Sequence, residues 1–298
     1  MSISNPTQSA RTQKRLRNPL HSKRMRGIMG AIIVHLVLLT GLVFILMPLA
    51  WSISTSLKEP GAVFTYPPEW IPRPVVWRNY IDAWTVLPFF RYLWNTTMIT
   101  TFSIVGRLLA CSLAAFAFSR LRWPGRDILF FMMLSTMMLP SQVTLIPTFI
   151  LFRKLGWVNT FLPLIIPKFF AEPFFTFLMR QFFMTIPIQM DEAARIDGCT
   201  NFSIFSKIIM PLSKPVFIAV AIFVFNANWN DFFAPLIYLH DSDKFTLALG
   251  LRAFQGQFGT EWNLMMAASN LVLLPVVLLF FFAQKYFMQG VVITGLKG

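Results

Sequence analysis

The sequence predicts an all-α polytopic membrane protein with six transmembrane helices, and three observations carry that prediction. Of 298 residues, 56% are hydrophobic and only 13% charged, where soluble domains run near about 25% charged. The apolar residues gather into blocks close to the roughly 20 residues that a helix rising 1.5 Å per residue needs to cross a bilayer. Lys and Arg are shared unevenly among the connections, which fixes an orientation.

In chain order, a basic segment of residues 1–27 holds seven of the 26 Lys and Arg, and residues 28–298 form the six-helix domain. The first span is Ile28–Trp51. Its apolar run exceeds the roughly 7–15 residues of a signal-peptide core, and no A-x-A site follows promptly, so it reads as retained. Residues 52–93 carry Tyr66-Pro67-Pro68, Trp70 and Pro72 and suit a long loop with little regular structure. Trp94–Phe118, Ile128–Phe152 and Phe161–Phe183 are the next three spans. Residues 184–214 form a second long connection, followed by Pro215–Leu239 and Leu264–Phe287. With the N-terminus inside, the inner segments hold 16 Lys and Arg against 8 outside, so both termini are expected in the cytoplasm. Trp51, Trp70, Trp77, Trp84, Trp94, Trp157 and Trp262 cluster toward the outer interface.

The formal net charge of +14 does not indicate nucleic-acid binding, because the basic residues flank spans and do not line a soluble face. Cys111, in an apolar block, and Cys199, in a polar loop, lie at different depths and indicate neither a disulfide nor a zinc site. His21, His35 and His240 are scattered and form no metal or nucleophile constellation. No GxxxxGK[ST] occurs, so the chain lacks the phosphate cradle of an ATPase. An ion-coupled secondary transporter is the alternative class; such carriers usually keep acids within the membrane. Here the intramembrane ionisable residues are Arg107, Lys168, Glu172 and Asp231. Lys168 and Glu172, four apart, are expected either to neutralise one another on one face of the fourth span or to line a watery pathway.

The 184–214 connection is the most informative segment. Pro187 suits the first turn of a helix and Gly198 its left-handed C-terminal cap. Thr200 suits the cap of a second helix running to Ile209 and stopped by Pro211, with Phe202, Phe205, Ile208 and Ile209 on one face. Ala193 and Ala194 are small enough for a partner surface to approach closely. The run Glu192-Ala193-Ala194, Asp197-Gly198, Ile208 and Pro211 resembles the "EAA" loop of ATP-binding-cassette (ABC) importer permeases. It departs from that pattern at Met210 and at Cys199. The resemblance runs through nearly the whole chain, including Leu139-Pro140 to Pro147, Leu155-Gly156 to Thr160, Leu178 to Phe183 and Trp229-Asn230-Asp231-Phe232. It points to the sugar-importer branch, similar to the smaller maltose-type permease subunit.

That resemblance implies a type I ABC importer permease fold in a prokaryotic cell membrane and a chain that is not itself an enzyme. It implies a second, unlike permease subunit, two cytoplasmic ATPase subunits that use ATP and Mg, and an extracytoplasmic solute-binding protein. This chain would bind no cofactor. Asn226, Asn228, Trp229 and Asn230 offer amides and an aromatic face suited to hydroxyl-rich solutes, and equally suited to interhelical packing. The stretch Phe254-Gln255-Gly256-Gln257, with Gly259 three residues on, suits a compact outer loop with apolar tips. By resemblance it would reach into the binding protein.

Overall fold

A computed structural model describes residues 19–256 and 259–295. Residues 1–18 of the basic segment, Gln257, Phe258 and the last three residues lie outside the described residues. The chain divides into two compact units at Ser52 and Ile53. Helix α1 (Pro19–Ser56) carries the apolar stretch Gly27–Ser56, long enough to span a bilayer. The remaining helices are α2 (Arg78–Thr85), α3 (Phe89–Arg120), α4 (Arg126–Ser135), α5 (Ser141–Lys154), α6 (Leu162–Ile165) and α7 (Pro173–Thr185), followed by α8 (Gln189–Ile196), α9 (Asn201–Ile204), α10 (Met210–Leu212), α11 (Lys214–Trp229), α12 (Phe233–Tyr238), α13 (Leu247–Leu251) and α14 (Trp262–Gly295). A two-residue antiparallel pair, Gln255–Gly256 with Gly259–Thr260, precedes α14.

Among the described residues, four stretches are long and apolar enough to cross a membrane: Gly27–Ser56, Phe89–Arg120, Leu162–Thr185 and Trp262–Gln284. Two bent helix pairs bring the number to six if each counts as one span. The expected third span is not one continuous helix, because Arg126–Met138 and Gln142–Lys154 meet at 102°. Pro140 explains the break: it supplies no N–H and holds Leu139 extended, at φ −82° and ψ 118°. The expected fifth span also divides. It is helical through Trp229, interrupted at Asn230–Phe232, and resumes as α12, whose Ala234 N–H is capped by Asp231 Oδ1 at 3.1 Å. The fourth span breaks as well, at residues 170–172. Pro173 opens α7 and holds Glu172 extended.

Helix α3 is unbroken and serves as the spine against which these broken segments pack. At its Arg120 end, Cys111, Ala115 and Phe116 join Phe175, Met179 and Phe183 of α7 and Val216, Val220 and Val224 of α11 in one core. At its Phe89 end, Phe89 and Tyr92 pack with Leu247, Leu264, Ala267 and Ala268. A third cluster, Phe152, Leu164, Tyr238 and Leu239, with Ile99 and Leu249, joins α5, α6 and α12. Small residues set the closest approaches, as in membrane helix packing generally. A Cβ on Gly106 would fall 2.5 Å from the Phe169 ring, and one on Gly250 would collide with the Tyr92 ring.

The Phe89 end is also tied by a polar knot. Asn159 takes a left-handed conformation, φ 62°, and its N–H donates to Tyr238 O at 2.7 Å. Its Oδ1 accepts the N–H groups of His240 and Asp241, each at 3.1 Å, while its Nδ2 donates to Asp241 Oδ2 at 2.7 Å. Lys244 Nζ donates to the same carboxylate oxygen at 2.8 Å. These bonds hold the Asp241 carboxyl below the usual carboxylate range, Lys244 being the larger cause and Asn159 the next.

Candidate functional site

The loop from Pro187 to Pro211 forms a helical elbow at the Arg120 end of α3. Its first arm, α8, closes as the sequence predicts: Gly198 has φ +79°, Gly198 N–H donates to Arg195 O at 3.0 Å and Cys199 N–H to Ala194 O at 2.9 Å. Those two bonds are a Schellman cap, which requires the left-handed residue that glycine adopts without strain. Thr200 then caps the second arm, its hydroxyl accepting the Ser203 N–H at 3.2 Å.

The second arm departs from expectation in two ways. Pro211 does not stop it. A π turn over Phe205–Ile209 widens the helix, Met210 N–H reaches back to Phe205 O, and Pro211 sits in the first turn of α10. Widening avoids the clash that a proline ring makes with the carbonyl four residues earlier. The chain turns only afterwards, at Ser213, where Asn201–Leu212 meets Lys214–Trp229 at 78°. The expected face also shifts. Ile204, Phe205 and Ile209 are buried, Ile208 is half-buried, and Phe202 is 70% exposed.

The elbow is pinned from below by a pair that sequence reasoning did not single out. Arg120 Nη2 donates to Phe183 O at 2.6 Å and to Ile186 O at 2.8 Å, and Arg120 Nε lies 3.6 Å from Asp191 Oδ2. Both side chains are buried. Burial pushes the Asp191 carboxyl above the usual carboxylate range, against the pull of Arg120. Asp191 and Ala194 therefore form the docked face of α8, while Glu192, Ala193, Ile196, Asp197 and Gly198 are exposed on the other side. Ile196, at 88% exposure, is an apolar side chain offered to a partner surface. A cavity of about 930 Å³ opens beside the elbow, lined by Arg120, Arg122, Trp123, Glu192 and Arg195 among others.

A second polar group lies where the fourth and fifth spans break. Lys168 and Glu172 do not form the expected pair on one helical face, because Lys168 lies in the last turn of a 3-10 helix, Ile166–Phe169, and Glu172 precedes α7 across the break. Glu172 is engaged by Arg107 of α3 instead, Nη2 to Oε2 at 2.7 Å, and Arg107 Nη1 donates to Phe170 O at 2.9 Å. One turn along α3, Cys111 Sγ accepts the Glu172 N–H at 3.3 Å. Two residues of α3 thus satisfy backbone groups freed by the break, as a broken helix in lipid requires. On α11, Trp229 is buried and its Nε1 donates to Val272 O at 3.0 Å, which makes it a packing residue. Asn228 is half-buried and donates to Val224 O. Asn226 and Asn230 are exposed and bond to one another, Nδ2 to Oδ1 at 2.9 Å.

At the opposite end, the expected apolar tip is partly overturned. Phe254 is buried and packs against Phe89, ring centroids 6.1 Å apart. An aromatic ring next to a core of that size is more stable inside it than at a loop tip. Gln255 is exposed, Gly256 pairs with Gly259, and Gln257 is outside the described residues.

Residues 103–293 match the family described as binding-protein-dependent transport system inner membrane component. The chain is 33% identical over 246 residues to the arabinooligosaccharides transport system permease protein AraQ of Halalkalibacterium halodurans, covering 82% of this chain and 86% of that one. It is 33% identical over 269 residues to the sn-glycerol-3-phosphate transport system permease protein UgpE of Yersinia enterocolitica, covering 88% and 95%. Among solved structures, a chain of a bacterial ABC transporter involved in import of the acidic polysaccharide alginate superposes with a TM-score of 0.77 at 24% identity, over 89% of this chain and 98% of that one.

Proposed function

This chain belongs to the binding-protein-dependent transport system inner membrane component family, and on that premise we propose how it is coupled and what it carries. It is a multi-pass permease subunit of an ABC importer and not an enzyme. The solute we assign is a carbohydrate or a sugar-like polyol, in line with relatives that serve arabinooligosaccharides and sn-glycerol 3-phosphate. Its partners in this reading are a second, unlike permease subunit, two cytoplasmic ATPase subunits that consume ATP with Mg, and an extracytoplasmic solute-binding protein. The N- and C-termini are cytoplasmic, in the membrane of a prokaryotic cell.

The observation that carries this reading is the exposed face of the elbow. Glu192 and Ala193 stand clear of the chain's own core beside Ile196, on a helix whose other face is fixed to α3 and α7. A surface that is charged, small and apolar in turn, and rigidly mounted, suits docking of an ATPase. Closure of the ATPase dimer on ATP would then move the elbow as a lever and shift the spans between two populations. Ile208 and Pro211 shape the second arm of that lever. Asn226 and Asn230 are the amides we assign to the solute pathway, and Gln255 with Gly256 to binding-protein contact.

Gly198 tests the lever. A Cβ there meets nothing within 4 Å, so any loss comes from backbone strain and not from crowding. Gly198→Leu is expected to reach the membrane, lose copurifying ATPase and abolish uptake, the strain amounting to about 1–2 kcal/mol. Gly198→Asn, which tolerates the left-handed region, is expected to retain most activity. Normal assembly and uptake by Gly198→Leu would refute the lever.

A further inference from the structure

Lys168 is a cation within a membrane span with no carboxylate at salt-bridge distance among the described residues. Two acids, Glu172 and Asp231, act on it from beyond that distance. Glu172 is taken by Arg107 at 2.7 Å, and Asp231 Oδ1 accepts the N–H of Ala234 at 3.1 Å. Lys168 stands two residues before the break at 170–172 in its own span, and Asp231, in the interruption of the fifth span, acts on it electrostatically. Lys168 is half-buried, whereas Arg107 is almost wholly enclosed. An ammonium inside a span without a salt bridge is costly, and ionisable groups there mark pathways and pair with whatever passes. Interrupted helices near mid-membrane are also where transported solutes are held.

From this placement we infer that Lys168 is a specificity-determining residue of the pathway, pairing with an anionic oxygen group, carboxylate or phosphate, on the carried solute. The inference rests on the saccharide-importer reading and narrows its solute to the acidic members of that class. Arg107 is not the recognising group: its guanidinium is used on Glu172 and on Phe170 O. Lys168 has a compact, rotatable head able to follow a moving anion. The exposed amides of Asn226 and Asn230 supply neutral donors and acceptors for hydroxyls nearby on the fifth span.

The test uses the whole transporter, with its own ATPase and solute-binding subunits, in proteoliposomes. Three labelled probes are offered: a hexuronate disaccharide, a hexose 6-phosphate and a neutral disaccharide. The intact protein is expected to import at least one acidic probe. Lys168→Gln should lower the maximal rate for that probe by tenfold or more, with the half-saturating concentration unchanged because the binding protein sets it. Lys168→Arg should keep most of the rate. Import of only the neutral disaccharide, or of none of the three, would overturn the inference, and either result leaves the saccharide-importer reading standing unless the solute-binding subunit binds no saccharide or polyol at all. Lys168→Gln importing the acidic probe at the parental rate would also overturn it. So would failure of both variants to assemble, which would make Lys168 a structural contact.

Discussion

Replacing Arg120 with alanine is expected to undock the elbow from the membrane domain, with a destabilisation of about 3–5 kcal/mol at the joint. The loss is large because one side chain bonds two carbonyls and faces a buried carboxylate. Its removal orphans the carbonyl of Ile186, leaves that of Phe183 only the Ile186 N–H, and leaves the buried Asp191 carboxyl without its cation. Asp191→Asn should be far milder. It keeps the shape, removes a charge that burial already disfavours, and leaves Arg120 its two carbonyl acceptors. The comparison is read by proteolysis of the 186–200 segment in the assembled complex and by ATPase copurification. Equal damage from the two substitutions would mean that the ion pair, and not the carbonyl anchorage, fixes the elbow.

Gly250→Val is the other change expected to be severe. Helix α13 lies so close to α3 that a Cβ on Gly250 would overlap the Tyr92 ring, and that ring, 2% exposed, is held by Phe89 and Phe245. Overpacking a site with no room to yield costs about 1–3 kcal/mol and occasionally more. The variant should accumulate poorly in the membrane, and trimming the ring in Gly250→Val/Tyr92→Leu should recover part of the yield. Full accumulation of the single variant would show that the Tyr92 ring can swing aside. By contrast, Gly106 faces Phe169, which is 41% exposed and freer to move.

The contrast between Gly198 and Gly250 shows what sequence can disclose about this fold. Gly198 was legible because a Schellman cap is local, set by neighbours in the same short run. Nothing near Gly250 announces Tyr92, which is distant along the chain. The same distinction separates the elbow's motif, readable from spacing, from its anchor Arg120–Asp191, which joins two segments far apart. It also explains the Lys168 and Glu172 expectation. A spacing of four implies one helical face only while the helix continues, and here it breaks between them. Hydropathy located the membrane-crossing segments but averaged over Pro140, Pro173 and Asn230-Asp231, so it returned rods where the chain has joints. Pro211 failed as a stop signal because a π turn accommodated the ring at no cost in continuity.

The knot around Asn159 gives the two ends of the permease unequal sensitivity to the surrounding medium. Its ionic members, Asp241 and Lys244, are exposed, so ionic strength weakens them, charges in 0.15 M salt being screened over about 8 Å. Because the Asp241 carboxyl is held below its ordinary range, its share of the knot is fully present above that range and is lost as pH falls below it, through the depressed value. Arg120 and Asp191 are enclosed, which shields the pair from salt. Under the topology proposed above, salt or acid outside the cell should therefore loosen the amides of His240 and Asp241 while those of the elbow keep their hydrogen-exchange protection. Equal loss of protection at both ends would contradict this. Under that topology a cell in brackish or acidic water would meet this chemistry only at the mouth of the importer, with the elbow on the far side of the membrane.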